Sequence, residues 1–117
     1  MKLFLSRFFL TCSLFFLTYT PTFAQQSFVD ASILTDFNDA LKLYNSKAYA
    51  PALKIFGAVA KTAANNTVVK SDASYYEAMC AIKLNKTDAD KKVLKFVAEN
   101  PTSIKKNKAY FNVGNYY

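Results

Sequence analysis

The sequence predicts an all-α chain of antiparallel helix-turn-helix repeats, and three observations lead there. Apolar residues recur every three and four positions through most of the chain, the mark of helices with one buried face. The spacing Tyr49-x-x-Ala52-x-x-x-Phe56 is answered 37 residues later by Ala89-x-x-x-Val93, and a third related stretch, Ala109 to Tyr117, closes the chain. Finally, 52% of the 117 residues are apolar and 16% aromatic, with only two Gly and three Pro, which suits regular helix and argues against disorder. The expected content is about two helical hairpins plus one unpaired helix, after an N-terminal signal segment.

That first segment, residues 1–24, reads as a secretory signal. Lys2 and Arg7 form a positive start, Phe8 to Leu17 an apolar core, and Thr22-Phe23-Ala24 a run ending in the small residue that signal peptidase needs, with cleavage before Gln25. Export to the periplasm or the outer-membrane surface is the expectation. An uncleaved inner-membrane anchor over residues 8–29 is the alternative, because no charge interrupts Phe8 to Val29 and that length can span a bilayer. Lipid attachment at Cys12 is a poorer third route, since the apolar segment before it is short. Removing residues 1–24 leaves one domain, 25–117, with 13 basic and 8 acidic residues, a net charge of +5.

Within 25–117 the first helix is expected from Asp30 to Tyr44, carrying Ile33, Leu34, Phe37, Ala40, Leu41 and Tyr44 on one side. Asn45-Ser46-Lys47 breaks the pattern. A second helix follows with Tyr49, Ala52, Leu53, Phe56, Val59, Ala60 and Ala63 inward; Pro51 fits its first turn, where a missing N–H costs nothing, and Gly57 leaves room for close approach. Asn65-Asn66-Thr67 is a turn, after which a third helix begins between Thr67 and Ser71 and runs to Leu84, carrying Tyr75, Tyr76, Ala78, Met79, Ala81 and Ile82. The fourth is expected to be capped by Thr87 with Asp90 three residues on. It carries Val93, Leu94, Phe96 and Val97 and ends at Asn100-Pro101, because a proline ring disfavours helical geometry at the residue before it. A fifth helix opens near Ser103 with Ile104, Tyr110, Phe111 and Val113 on its apolar side. Linkers this short make consecutive helices antiparallel neighbours. The units are thus about 30–64, 67–101 and an incomplete 103–117.

In this register the chain resembles the tetratricopeptide repeat, of the exported Gram-negative envelope type. In the first unit Ala40 takes the small position of the first helix, Leu43 the tyrosine position, Tyr49 the turn aromatic, Ala52 the small position of the second helix and Phe56 its aromatic. In the second unit Ala89, Val93 and Pro101 fit, and Ala78 takes the small position once the intervening turn is shortened by one residue. At the end Tyr110 stands at the large aromatic position, Val113-Gly114 at the Leu-Gly pair and Tyr117 at the tyrosine. The departures are Lys47 where Gly is usual, no Pro after the first unit, and a step of 37 residues in place of about 34. A plain helical bundle with the same spacing is the rival reading. Because the terminal stretch stops in mid-motif, the resemblance also implies an N-terminal fragment of a longer repeat protein.

The chemistry available is limited. The sequence contains no His, and Cys80 is the only cysteine beyond the signal, so intramolecular disulfide, thiolate zinc and His-based catalysis have no residues to build them; no enzyme activity, cofactor or metal is expected. Asp36 and Asp39 lie three apart on one helix and are read as solvated rather than catalytic. Lys105-Lys106-Asn107-Lys108 is the densest basic run, either the solvated start of a helix or a contact for an anionic surface. Nucleic acid is disfavoured, since no Arg follows position 7. A membrane contact is expected only if the N-terminal segment is retained. What the resemblance implies is a non-enzymatic interaction scaffold, holding a protein or peptide on the concave face made by successive first helices. Asn38, Lys42 and Asn45 in the first unit, Glu77 and Lys83 in the second, and Asn112 and Asn115 in the third are the candidate lining residues. The alternative is an input module for a sensory or catalytic domain beyond Tyr117.

Overall fold

The computed structural model describes residues 23–63 and 67–116, and these form five helices: α1 (Phe23–Asn45), α2 (Tyr49–Thr62), α3 (Thr67–Lys83), α4 (Ala89–Glu99) and α5 (Lys106–Tyr116). Among the described residues there is no strand. Nearly all of the expected export segment, together with Asn65, Asn66 and Tyr117, lies outside the described residues. Among the described residues no helix is long and apolar enough to cross a membrane.

The two hairpin turns have the same local construction. At the end of α1 the Lys47 N–H donates to the Tyr44 carbonyl at 3.0 Å and the Ala48 N–H to the Leu43 carbonyl at 2.8 Å, with Lys47 at φ 62°. At the end of α3 the Asn85 N–H donates to Ile82 at 3.0 Å and the Lys86 N–H to Ala81 at 2.9 Å, with Asn85 at φ 53°. Both are Schellman caps, in which one left-handed residue satisfies the last helical carbonyls. Asn tolerates this conformation, whereas the Cβ of Lys47 meets the following carbonyl. Lys47→Gly is therefore expected to stabilise the fold by about 1 kcal/mol, read as a higher urea midpoint at unchanged slope. Lys47→Ala, which keeps the Cβ, should not.

Several boundaries differ from the sequence reading. The N-cap of α4 is Asp88, not Thr87, and it makes no side-chain cap bond. A turn closed by the Ala89 N–H on the Lys86 carbonyl carries the chain one residue further, and Asp90 accepts instead from the adjacent Lys91 N–H at 2.8 Å. Helix α5 starts at Lys106, because Ser103 and Lys106 close successive turns and the Ser103 hydroxyl accepts from the Lys105 N–H. Ile104 thus lies in a turn and is 96% exposed. Leu94 (56%) and Leu34 (48%) are also exposed, unlike the other apolar residues expected on their helix faces.

Two apolar clusters hold the helices. The first joins Phe37 and Ala40 of α1, Ala52, Phe56 and Val59 of α2, and Ala73 and Cys80 of α3. The second joins Tyr75, Ala78 and Met79 of α3, Val93, Phe96 and Val97 of α4, and Ala109 of α5. Tyr44 and Tyr76 pack against both. Helix α3 is consequently buried on most of its circumference, and Ala73, Ala78 and Ala81 let the other helices approach it.

Each helix packs on the next, and in addition α1 packs on α3 and α3 on α5, while α2 and α4 make no comparable contact among the described residues. Three ties fix α5 along α3. Lys105 Nζ lies 2.7 Å from Asp72 Oδ1, Asn112 Nδ2 donates to Met79 Sδ at 3.1 Å, and the Tyr116 hydroxyl donates to the Lys86 carbonyl at 3.0 Å. The partners ascend together in both stretches, so α3 and α5 run parallel.

Candidate functional site

The odd-numbered helices share one side of the molecule, and a groove of about 640 Å³ lies across them. Its aromatic end is built by Tyr44 of α1 with Tyr75 and Tyr76 of α3, whose rings meet edge to face at centroid distances near 5 Å: 5.1 Å for Tyr44 with Tyr76 and 5.1 Å for Tyr75 with Tyr76. Met79 and Ile82 continue the floor along α3, one turn apart and on one face. Lys83, Asn85, Lys108, Asn112 and Asn115 supply the polar part of the lining.

The ionisable groups behind this floor are held in their neutral forms. Burial, reinforced by Tyr75, Cys80, Tyr49 and Tyr76, pushes the Tyr44 phenol up to about 12. Tyr75 is raised mainly by burial and then by Tyr76, with Asn112 pulling the other way. Burial and then Glu77 push the Cys80 thiol up to about 12. It is a protonated core thiol without nucleophilic character at neutral pH.

These shifts set the response to alkali. Below the ordinary values, 9.0 for Cys and 10.0 for Tyr, both folded and unfolded chains keep the protons and stability is indifferent to these groups. Between those values and about 12 the unfolded chain releases protons that the folded chain retains, so stability falls as pH rises. The urea midpoint is expected to decline through this window, and the decline should flatten in both Cys80→Ala and Tyr44→Phe. An identical pH profile in both variants contradicts the assignment.

Of the residues selected from the sequence, Lys83, Asn112 and Asn115 lie together in the groove. Asn38, Lys42 and Asn45 are exposed on α1 outside its lining, and Lys42 pairs with Asp39 at 2.9 Å. Glu77 lies on the other side of α3, in a smaller cleft of about 380 Å³ that includes residues of α2 and α4. There its carboxylate sits 2.7 Å from Lys92 Nζ, and this hydrogen bond, against the opposing effect of burial, raises the Lys92 pKa. A Cβ at Gly57 would sit in ordinary contact with the Glu77 carboxylate, 3.4 Å from Oε1, so the close helix approach expected at this glycine is not what it serves.

The packing positions divide similarly. Ala40, Ala52, Phe56, Ala89 and Val93 are fully buried, Tyr49 is half-buried against the first cluster and Pro101 is exposed after the α4 cap. In α5 the register differs from the expectation: Ala109 is the buried residue, Tyr110 is 45% exposed and Gly114 faces open space. The three ties to α3 turn Ala109, Asn112 and Val113 inward and leave Tyr110 and Gly114 on the outer side.

Sequence reasoning missed Asn85 and Tyr116, and it reads Tyr44, Tyr75, Tyr76, Met79 and Ile82 as apolar helix positions and Lys108 as part of a basic run, not as one groove. The available signal was the run Tyr75, Met79, Ile82 and Lys83, at helical spacing with Lys at its polar edge. The basic run 105–108 is also divided by the fold. Lys105 is held by Asp72 and lies 5.9 Å and 5.8 Å from the Tyr75 and Tyr76 ring centroids, while Lys108 reaches the groove.

Compared with protein-family models, with curated proteins and with solved structures, the chain has no match.

Proposed function

We propose that the chain is a non-enzymatic interaction scaffold of the bacterial cell envelope, a solenoid of the tetratricopeptide type that holds a peptide or partner helix on the face formed by α1, α3 and α5. The observation that carries this reading is the groove crossing all three odd-numbered helices on one side. The packing order supports it too: odd helices stack on one another while α2 and α4 stand apart, which curves a helical array toward its odd-helix face. The paired Schellman turns at Lys47 and Asn85, and the buried pairs Ala52–Phe56 and Ala89–Val93 at one common spacing, support a repeated unit over a bundle of unrelated helices. Lys2, Arg7 and the apolar run Phe8 to Leu17 support export.

Site-specific photo-crosslinking in the producing cell tests the reading. A crosslinker at Lys83, Asn112 or Asn115 is expected to capture one common partner, whereas a crosslinker at Lys95, on the α2 and α4 side, should not. Equal capture from both sides would sink the groove. A reporter that is active only outside the cytoplasm, fused after residue 30, checks export separately.

A further inference from the structure

The groove has a one-sided charge. Its lining contains Lys83 and Lys108 and no Asp or Glu, and among the described residues neither lysine is paired with a carboxylate. The cleft on the opposite side differs in carrying carboxylates: Glu77 and Glu99 pair there with Lys92 and Lys95, beside Lys61 and Lys70. The rest of the groove lining is mixed, with Ile82 and the Tyr44–Tyr76 pair as its apolar part and Asn85, Asn112 and Asn115 as its amides. Exposed amides of Asn85 and Asn115 offer a donor and an acceptor each, matched to a peptide backbone that presents both.

We propose that this groove selects an acidic peptide segment, seating carboxylates at Lys83 and Lys108 and an aliphatic or aromatic side chain over Ile82 and the Tyr44–Tyr76 pair. The proposal rests on the scaffold reading and adds the chemistry of the partner to it. A peptide fits better than a membrane or a nucleic acid. The basic run that could have met a lipid surface is broken up, with Lys105 tied to Asp72 on α3. The groove lining holds two lysines and no Arg, so it offers neither a run of phosphate contacts nor base readout.

The test is selection of a random dodecapeptide display library on the full chain, followed by anisotropy titration of the recovered peptides. Recovered sequences are expected to be rich in Asp and Glu around at least one large apolar residue, and to bind more weakly as salt rises. Lys83→Glu with Lys108→Glu should weaken them about tenfold or more, by like-charge repulsion, while Lys95→Glu leaves them unchanged. Both groove lysines are exposed, so the helical circular dichroism should survive; Lys83→Gln with Lys108→Gln provides a milder pair that removes charge without reversing it. Neutral or basic peptides that are lost on Asn115→Trp, a block of the groove, would overturn the acidic specificity and leave the scaffold reading intact. Peptides indifferent to every groove substitution would overturn both. Failure to recover peptides, with anionic phosphatidylglycerol vesicles bound through Lys83 and Lys108, would replace the peptide by a lipid surface.

Discussion

Phe56→Ala is expected to cost about 3–5 kcal/mol and to abolish most of the cooperative thermal transition. The ring is fully buried, stacked on Tyr76 at 5.2 Å between centroids and edge-on to Phe37 at 5.7 Å, so its loss opens a void shared by α1, α2 and α3. Those neighbours are held in turn by α4 and α5 through Tyr76, which packs in both clusters and leaves little freedom to collapse into the space. Domain stabilities run near 0.05–0.15 kcal/mol per residue, so a loss of this size is a large share of the total for a chain this short. Phe56→Leu fills much of the volume and should retain a sharp, lowered transition. Similar melting of Phe56→Ala and the parent chain would mean that the first cluster contributes little.

Ala52→Leu and Ala89→Leu are each expected to cost about 1–3 kcal/mol by overpacking. Both alanines are fully buried, Ala52 in the cluster against α1 and α3, and Ala89 at the start of α4 where the chain turns back on α3. Added methylenes have nowhere to go without moving a helix apart from its neighbour. Urea denaturation of each variant supplies the measurement, with Ala58→Leu as the control, since Ala58 is exposed on α2. Tolerance at both buried sites would favour a plain bundle over a repeat whose small residues set the helix spacing.

The packing alanines were legible because their information is local. A small residue at a fixed offset from an aromatic on one helix face is visible in the spacing of Ala52 and Phe56, whatever the neighbour proves to be. The interior of α3 was not legible in the same way. Ala73, Tyr75, Ala78, Met79, Cys80 and Ala81 are buried around most of its circumference, and a helix enclosed on several sides has no single periodic stripe to reveal which residue meets which neighbour. The groove was legible in part. Lys83, Asn112 and Asn115 were selected, but the tyrosines that line its aromatic end look like ordinary core residues until the helices are assembled.

The sequence by itself determined the helices, the hairpin turns at Lys47 and Asn85 and the buried alanines Ala40, Ala52 and Ala89, because backbone hydrogen bonds and periodic burial are set by residues a few positions apart. Tertiary structure alone decided the rotation of α5 and the division of the lysines. Ile104 faces solvent and Ala109 faces the core because Lys105, Asn112 and Tyr116 are tied to Asp72, Met79 and Lys86, partners about 30 residues away. The same ties remove Lys105 from the basic run and, with α5 seated, Lys108 lines the groove across from α1. Contacts at that separation depend on how whole helices pack, and no spacing within one helix encodes them.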